Sequence, residues 1–207
     1  ETGRIVAVDL ATPDPDSWVT LVAETEHALA WSAALAGELL VNHLVEASAR
    51  LTRYSADGTE LGSLPLPGLG TITGLAGRFV EPAVFLGYQS FVEPPTVLRA
   101  QDGVTEVWAG SKPPIDPSDL VVERMHAVST DGAEVGMFVV RRADAELPGP
   151  VELYGYGGFT INLTPTYSPA RLAFLEAGGI VVVANLRGGS EHGEPWHEQG
   201  SLGNKQQ

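Results

Sequence analysis

Three strand-like runs recur at even spacing in the first half of the 207-residue chain: RIVAVDL from Arg4, RLTRYSADG from Arg50 and TVLRAQDG from Thr96. Ile5, Leu51 and Val97 hold matching places, each step being 46 residues. A period of this length restricts a chain to architectures in which one supersecondary unit stacks on copies of itself. Each run passes through a polar turn (14–17, 57–59 and 102–103) into a second short strand, WVTLVAE, LGSLPLP or TEVWAG. These pairs read as hairpins in which Asp and Gly supply the turn conformations. Between them lie ALAWSAALAGELLVNHLVE and TITGLAGRFVEPAVFLGYQSFVE, each long enough for two strands. Four strands per repeat point to β-propeller blades.

The Ala- and Leu-rich block ending in ALAGELLVNHLVEASARL invites a helical reading, because both residues are strong helix formers. Gly37 interrupts it, and the equivalent block after Thr71 is rich in Gly and β-branched residues, so the strand reading is preferred. About two and a half blades fit into residues 1–110, whereas a propeller closes with at least four. The expectation is a partial propeller with apolar blade faces and free strand edges. The chain opens in strand pattern at GRIVAVDL, with no initiating Met, basic n-region or apolar h-region, and reads as starting inside a domain.

Charge narrows the partners. Twenty-six acidic against twelve basic residues give a formal net charge of -14, which repels nucleic acid and anionic lipid and favours solubility. Neither nucleic acid nor a membrane is expected as a partner, and no apolar run approaches spanning length. The absence of cysteine excludes disulfides, thiol catalysis and thiolate metal sites.

The pattern changes near Ser111. SKPPIDPSD is Pro-rich and polar, and residues 111–119 read as a linker. Beyond it, LVVERMHAVSTDGAEVGMFVVRR reads as two strands turned at Asp131-Gly132. VELYGY then reads as a strand and GGFTINLTPTYS as a loop. PARLAFLEAGG reads as a helix with Ser168 as N-cap, Pro169 at its first position and Gly178 at its end. IVVVANLRGG is an apolar strand of the kind buried in a parallel sheet. Strand, helix, strand is the βαβ signature, so residues 120–207 are expected to begin an α/β domain.

In α/β-hydrolases, the loop after the third strand supplies part of the oxyanion hole, and YGYGGF, Tyr154 to Phe159, occupies that place. Together with ANLRGGSEHGEPWHEQG from Ala184 and NKQ from Asn204, this loop resembles the prolyl oligopeptidases. The resemblance is weak in the blades and strong from about Leu120 onward. It implies a seven-bladed propeller capping an α/β-hydrolase domain, here represented by its last blades and the start of the catalytic domain. It further implies a serine peptidase that cleaves short peptides after proline through an acyl-enzyme, uses no cofactor, and is a cytoplasmic or periplasmic monomer. Tyr156 matches the family's oxyanion-stabilising phenol, and a rigid O–H aimed at developing charge suits that task. Phe159 matches the aromatic wall of the proline pocket, where a flat ring packs well on a pyrrolidine. Tyr154 and the glycines would shape the turn. The nucleophilic Ser, the Asp and the His of the triad are expected beyond Gln207, because α/β-hydrolases order them Ser, acid, His after this loop.

Other motifs carry weaker signals. GGSEHG, residues 188–193, mimics a nucleophile elbow at Ser190, yet Gly193, Pro195 and Gly200 are expected to break the helix an elbow requires. His192 and His197 are five apart rather than the four of a helical zinc pair, and His27, His43 and His126 are isolated, so no metal is expected. Arg187 and Glu191 are expected to form a structural ion pair, and Trp196 to serve packing. Two rival functions are a sister oligopeptidase cleaving after Lys or Arg, and a non-catalytic propeller-type binding module.

Overall fold

A computed structural model describes residues 2–205. Three antiparallel sheets account for the repeats. β1 (Ile5–Ala7) pairs with β2 (Val19–Val22). β3 (Ala28–Leu35), β4 (Glu38–Val45), β5 (Ser48–Tyr54) and β6 (Glu60–Ser63) form a second sheet in chain order. β7 (Gly70–Gly77), β8 (Val84–Ser90), β9 (Thr96–Gln101) and β10 (Val104–Gly110) form the third. The Ala- and Leu-rich block is therefore a hairpin, not a helix. It turns at Ala36 and Gly37, both with positive φ, the twist a two-residue hairpin needs.

The two complete blades pack face to face. Leu40, Leu51 and Leu64 from one meet Val84, Leu86, Leu98 and Ala100 from the other in one buried layer. Burying each such leucine is worth about 1.5–3 kcal/mol relative to exposure. The period slips by one residue between blades: Leu51 is 1% exposed, its expected counterpart Val97 is 37% exposed, and the neighbouring Leu98 is 1% exposed. Because strand side chains alternate faces, a one-residue slip exchanges inside and outside, and burial follows the strand pairing over the sequence count.

The last third forms a mixed sheet in the order β11-β12-β14-β13. β11 (Leu120–Val128) and β12 (Glu134–Arg142) are a hairpin through residues 129–133. β12 pairs antiparallel with β14 (Ile180–Ala184), and β13 (Val151–Gly155) pairs with β14 in parallel. The crossover between β13 and β14 contains α1 (Pro169–Glu176). Ser168 caps it by accepting from the Arg171 N–H, and Gly178, with φ of 84°, ends it. The helix buries Leu172 and Leu175 against Phe138, Val140, Val181 and Val183 of β12 and β14.

Blades and mixed sheet share this second core. Ala47, in the β4–β5 turn, and Phe91, just after β8, are buried in it, and Phe91 meets Phe138 edge to face at 5.1 Å. Thr71 Oγ1 adds a hydrogen bond to the Pro165 carbonyl at 2.8 Å. One expectation is corrected near the end of the chain. The segment after Ser190 does hold a short helix, α2 (Glu194–Gln199), with Gly193 and Gly200 at its caps and Pro195 in its first turn. Proline in a first turn removes no intrahelical bond, so it does not break the helix there.

Candidate active site

β13 delivers the aromatic loop. Tyr154 is its penultimate residue, and the Arg171 guanidinium of α1 lies 5.3 Å above the Tyr154 ring while forking onto Glu152 at 2.8 and 3.0 Å. The first aromatic thus lies against the crossover helix. Tyr156 and Phe159 lie beyond the strand and face outward, 43% and 82% exposed. They stand at the carboxyl end of a parallel strand pair, where open α/β sheets place their ligand sites.

Close contact between two backbones makes this loop possible. Gly157 has φ of 59° and Gly188 φ of 105°; a Cβ on Gly188 would sit 2.2 Å from the Gly157 carbonyl oxygen. Phe159 and Thr160 also have positive φ, at 53° and 58°. Such conformations cost about 1–3 kcal/mol each for non-glycine residues and persist only where surrounding bonds over-determine them.

Those bonds come from residues 185–191 and from Lys205. Thr160 N–H donates to the Gly188 carbonyl at 3.1 Å, and Ser190 Oγ donates to the Thr160 carbonyl at 3.1 Å. Asn162 Oδ1 accepts from the Ser190 N–H at 2.8 Å and from Ser190 Oγ at 3.1 Å. Leu163 is held on both sides: its N–H donates to Glu191 Oε1 at 2.9 Å and its carbonyl accepts from Asn185 Nδ2 at 2.8 Å. Lys205 Nζ donates to the carbonyls of Gly157 and Arg187.

The expected Arg187–Glu191 ion pair does not form. Gly188 turns the backbone between them, so Arg187 reaches Asp131 in the β11–β12 turn while Glu191 points into the interior, 2% exposed. The Asp131 carboxyl is held below the usual range, first by the Arg187 hydrogen bond and then by the Ala133 N–H. Ser190 is committed to stitching the loop. Trp196 is buried as a packing residue, its carbonyl accepting from the Gly188 N–H at 3.0 Å.

His27 lies within electrostatic reach of His43, and His126 within reach of His192. His197 Nδ1 lies 2.8 Å from the Gly188 carbonyl, and His192 packs edge-on against Trp196 at 5.0 Å. His126 meets Glu46 at 3.2 Å and His27 meets Glu26 at 3.7 Å. His43 is buried in β4, and burial pushes its pKa down, with His27 and Arg50 adding to the effect. Among the described residues no group of three or more His, Cys, Asp or Glu is placed to hold a metal ion, and no helix is long and apolar enough to cross a membrane.

Sequence reasoning missed Asn185 and Arg124. Asn185 is fully buried directly after the apolar strand, and a polar residue ending such a run was the available signal. Arg124 NH1 donates to Asn185 Oδ1 at 2.9 Å, and its other nitrogens reach Glu46 at 3.1 and 3.3 Å.

Four-stranded blades leading into a mixed sheet, with a glycine-bounded aromatic loop after β13, define part of a β-propeller joined to the first part of an α/β-hydrolase sheet. Two family patterns agree. Residues 1–108 match the prolyl oligopeptidase N-terminal β-propeller domain, and residues 165–207 match the prolyl oligopeptidase family. The chain belongs to the prolyl oligopeptidase family. It is similar to a prolyl endopeptidase of Elizabethkingia miricola, 30% identical over 202 residues covering 96% of this chain and 28% of that protein. A prolyl oligopeptidase of Omphalotus olearius is 35% identical over 214 residues, covering 98% of this chain and 28% of that protein. A solved prolyl endopeptidase structure superposes with a TM-score of 0.92 at 34% identity, covering 98% of this chain and 31% of that one. Prolyl oligopeptidase B of Galerina marginata, bound to a 25mer macrocyclization substrate, superposes with a TM-score of 0.88 at 27% identity over 98% of this chain and 29% of that one. The chain thus spans about 28% of the length of the curated relatives it matches.

Proposed function

We propose that this chain is a segment of a serine peptidase that hydrolyses short peptides on the carboxyl side of proline through an acyl-enzyme. Residues 1–110 are its partial propeller, 111–119 its linker and 120–207 the start of its catalytic domain. The observation that carries the proposal is the placement of Tyr156, solvent-exposed just beyond the end of a parallel strand, on a loop whose backbone is tied down by residues 185–191.

In this reading the phenol O–H of Tyr156 donates to the oxygen that becomes negatively charged as a nucleophile adds to the scissile carbonyl. The backbone that carries this donor is tied before reaction, which limits the reorganisation that accompanies the charge. Phe159 offers its ring face to the proline side chain of the substrate. The Ser, Asp and His of the triad come from elsewhere in the polypeptide, and proline-containing peptides are the partner class.

The test uses the complete protein that carries this chain. Gly-Pro and Gly-Arg chromogenic amides are compared, with and without a covalent serine-hydrolase probe. Proline-dependent turnover abolished by the probe supports the proposal. Turnover of the Arg amide alone means the sister oligopeptidase, and neither turnover nor labelling means a non-catalytic module.

A further inference from the structure

We propose that Glu191 is a positioning residue for the Tyr156 loop, linked through Asn185 and Arg124 to Glu46 of the propeller. The proposal rests on the reading of Tyr156 as oxyanion donor.

Burying a carboxyl group costs free energy unless hydrogen bonds compensate it. Glu191 is 2% exposed; its Oε1 accepts from the Leu163 N–H and, at 3.3 Å, from Asn185 Nδ2, while its Oε2 is buried without a partner. Leu163 is where the loop after Tyr156 returns to the second core. Since Asn185 takes its carbonyl, both backbone polar groups of Leu163 are fixed by two side chains that also bond each other. The loop is thereby anchored at β13 and at Leu163, with Thr160 and Asn162 stitched between.

The clamp continues outward. Asn185 Oδ1 accepts from Arg124, whose guanidinium lies 4.1 Å above the Phe138 ring and pairs with Glu46. Glu46 and Ala47 form the β4–β5 turn with φ of 51° and 57°, and Ala47 is fully buried in the second core. One chain of polar side chains therefore runs from a strained propeller turn to the loop that bears Tyr156. Undocking that turn would remove a partner of Arg124 and loosen the orientation of Asn185, and with it the hold on Leu163.

The test is a double-mutant cycle in the complete peptidase, read by Gly-Pro amide kinetics and by hydrogen exchange. Glu191→Ala should lower kcat by about 10- to 100-fold through misplacement of the loop. KM should change by less than about threefold, because the interaction matters in the transition state. Exchange should accelerate in 157–163 and not in β12 or β14. Glu191→Gln keeps a carbonyl acceptor for Leu163 and should recover part of the loss. If Glu191 acts through Tyr156, the pair Tyr156→Phe and Glu191→Ala should be within about twofold of Tyr156→Phe alone. Glu46→Gln should accelerate exchange in 157–163 to a lesser degree.

Multiplicative kinetic losses, or unaltered exchange in 157–163 for both Glu191 variants, would overturn the role of Glu191. Unaltered exchange in Glu46→Gln would overturn the propeller link. Full kcat in Tyr156→Phe would instead remove the oxyanion reading, and the exchange data would still decide whether Glu191 holds the loop.

Discussion

Gly188→Ala should both destabilise the protein and slow any chemistry that depends on Tyr156, whereas Gly132→Ala should be nearly silent in activity. The two glycines have similar left-handed conformations, φ of 105° and 87°, so they share the backbone strain of a new side chain. That strain is worth about 1–3 kcal/mol. They differ in surroundings. A Cβ on Gly132 meets nothing within 4 Å, while one on Gly188 lies 2.2 Å from the Gly157 oxygen, 2.8 Å from its carbon and 3.2 Å from the Gly200 oxygen. All three atoms are backbone, so relief requires the two loops to part by roughly 1 Å, and such overpacking adds about 1–3 kcal/mol. Gly188→Ala should then cost about 2–6 kcal/mol in all. The same displacement next to Tyr156 should reduce kcat on the order of 10²-fold. Urea denaturation gives the first quantity and Gly-Pro amide turnover the second. Equal stability of the two variants, or wild-type kcat in Gly188→Ala, would refute the close-approach account.

Phe91→Ala should cost about 3–5 kcal/mol in urea denaturation, because its ring fills the core shared by blades and mixed sheet; a loss below about 1 kcal/mol would mean that this core collapses around the gap. Glu46 predicts an acid-sensitive contact. Burial raises its pKa, but the hydrogen bond and charge of Arg124, with His126, outweigh burial and hold it below the usual carboxyl value. A depressed pKa contributes stability that is fully present above about pH 4.5 and is lost as pH falls through the folded value. Glu46→Gln should flatten this part of the stability profile below that pH, and an unchanged acid limb would contradict the pairing.

Local patterns were legible in the sequence, and long-range partnerships were not. Helix α1 could be read residue by residue, since Ser168, Pro169 and Gly178 each act within one turn of their position. The blades were legible because hairpin chemistry repeats, as Asp102 and Gly103 show with their positive φ. The burial register of β9 was not, because a one-residue slip is invisible until the strands pair. Pro195 misled as a breaker because its effect depends on whether it falls inside a helix or in its first turn. Arg187 and Glu191 misled because proximity along the chain stood in for direction, which Gly188 sets. The Arg124 bonds to Asn185 and Glu46 join residues 61 and 78 positions apart, a separation no local pattern encodes.

Turnover of a Gly-Pro chromogenic amide by Tyr156→Phe in the complete protein tests the central claim most directly. Removing one oxyanion donor without disturbing the loop should lower kcat by about 10²–10³-fold while the serine-hydrolase probe still labels the nucleophile. Undiminished kcat would show that the phenol at Tyr156 does not stabilise the developing charge.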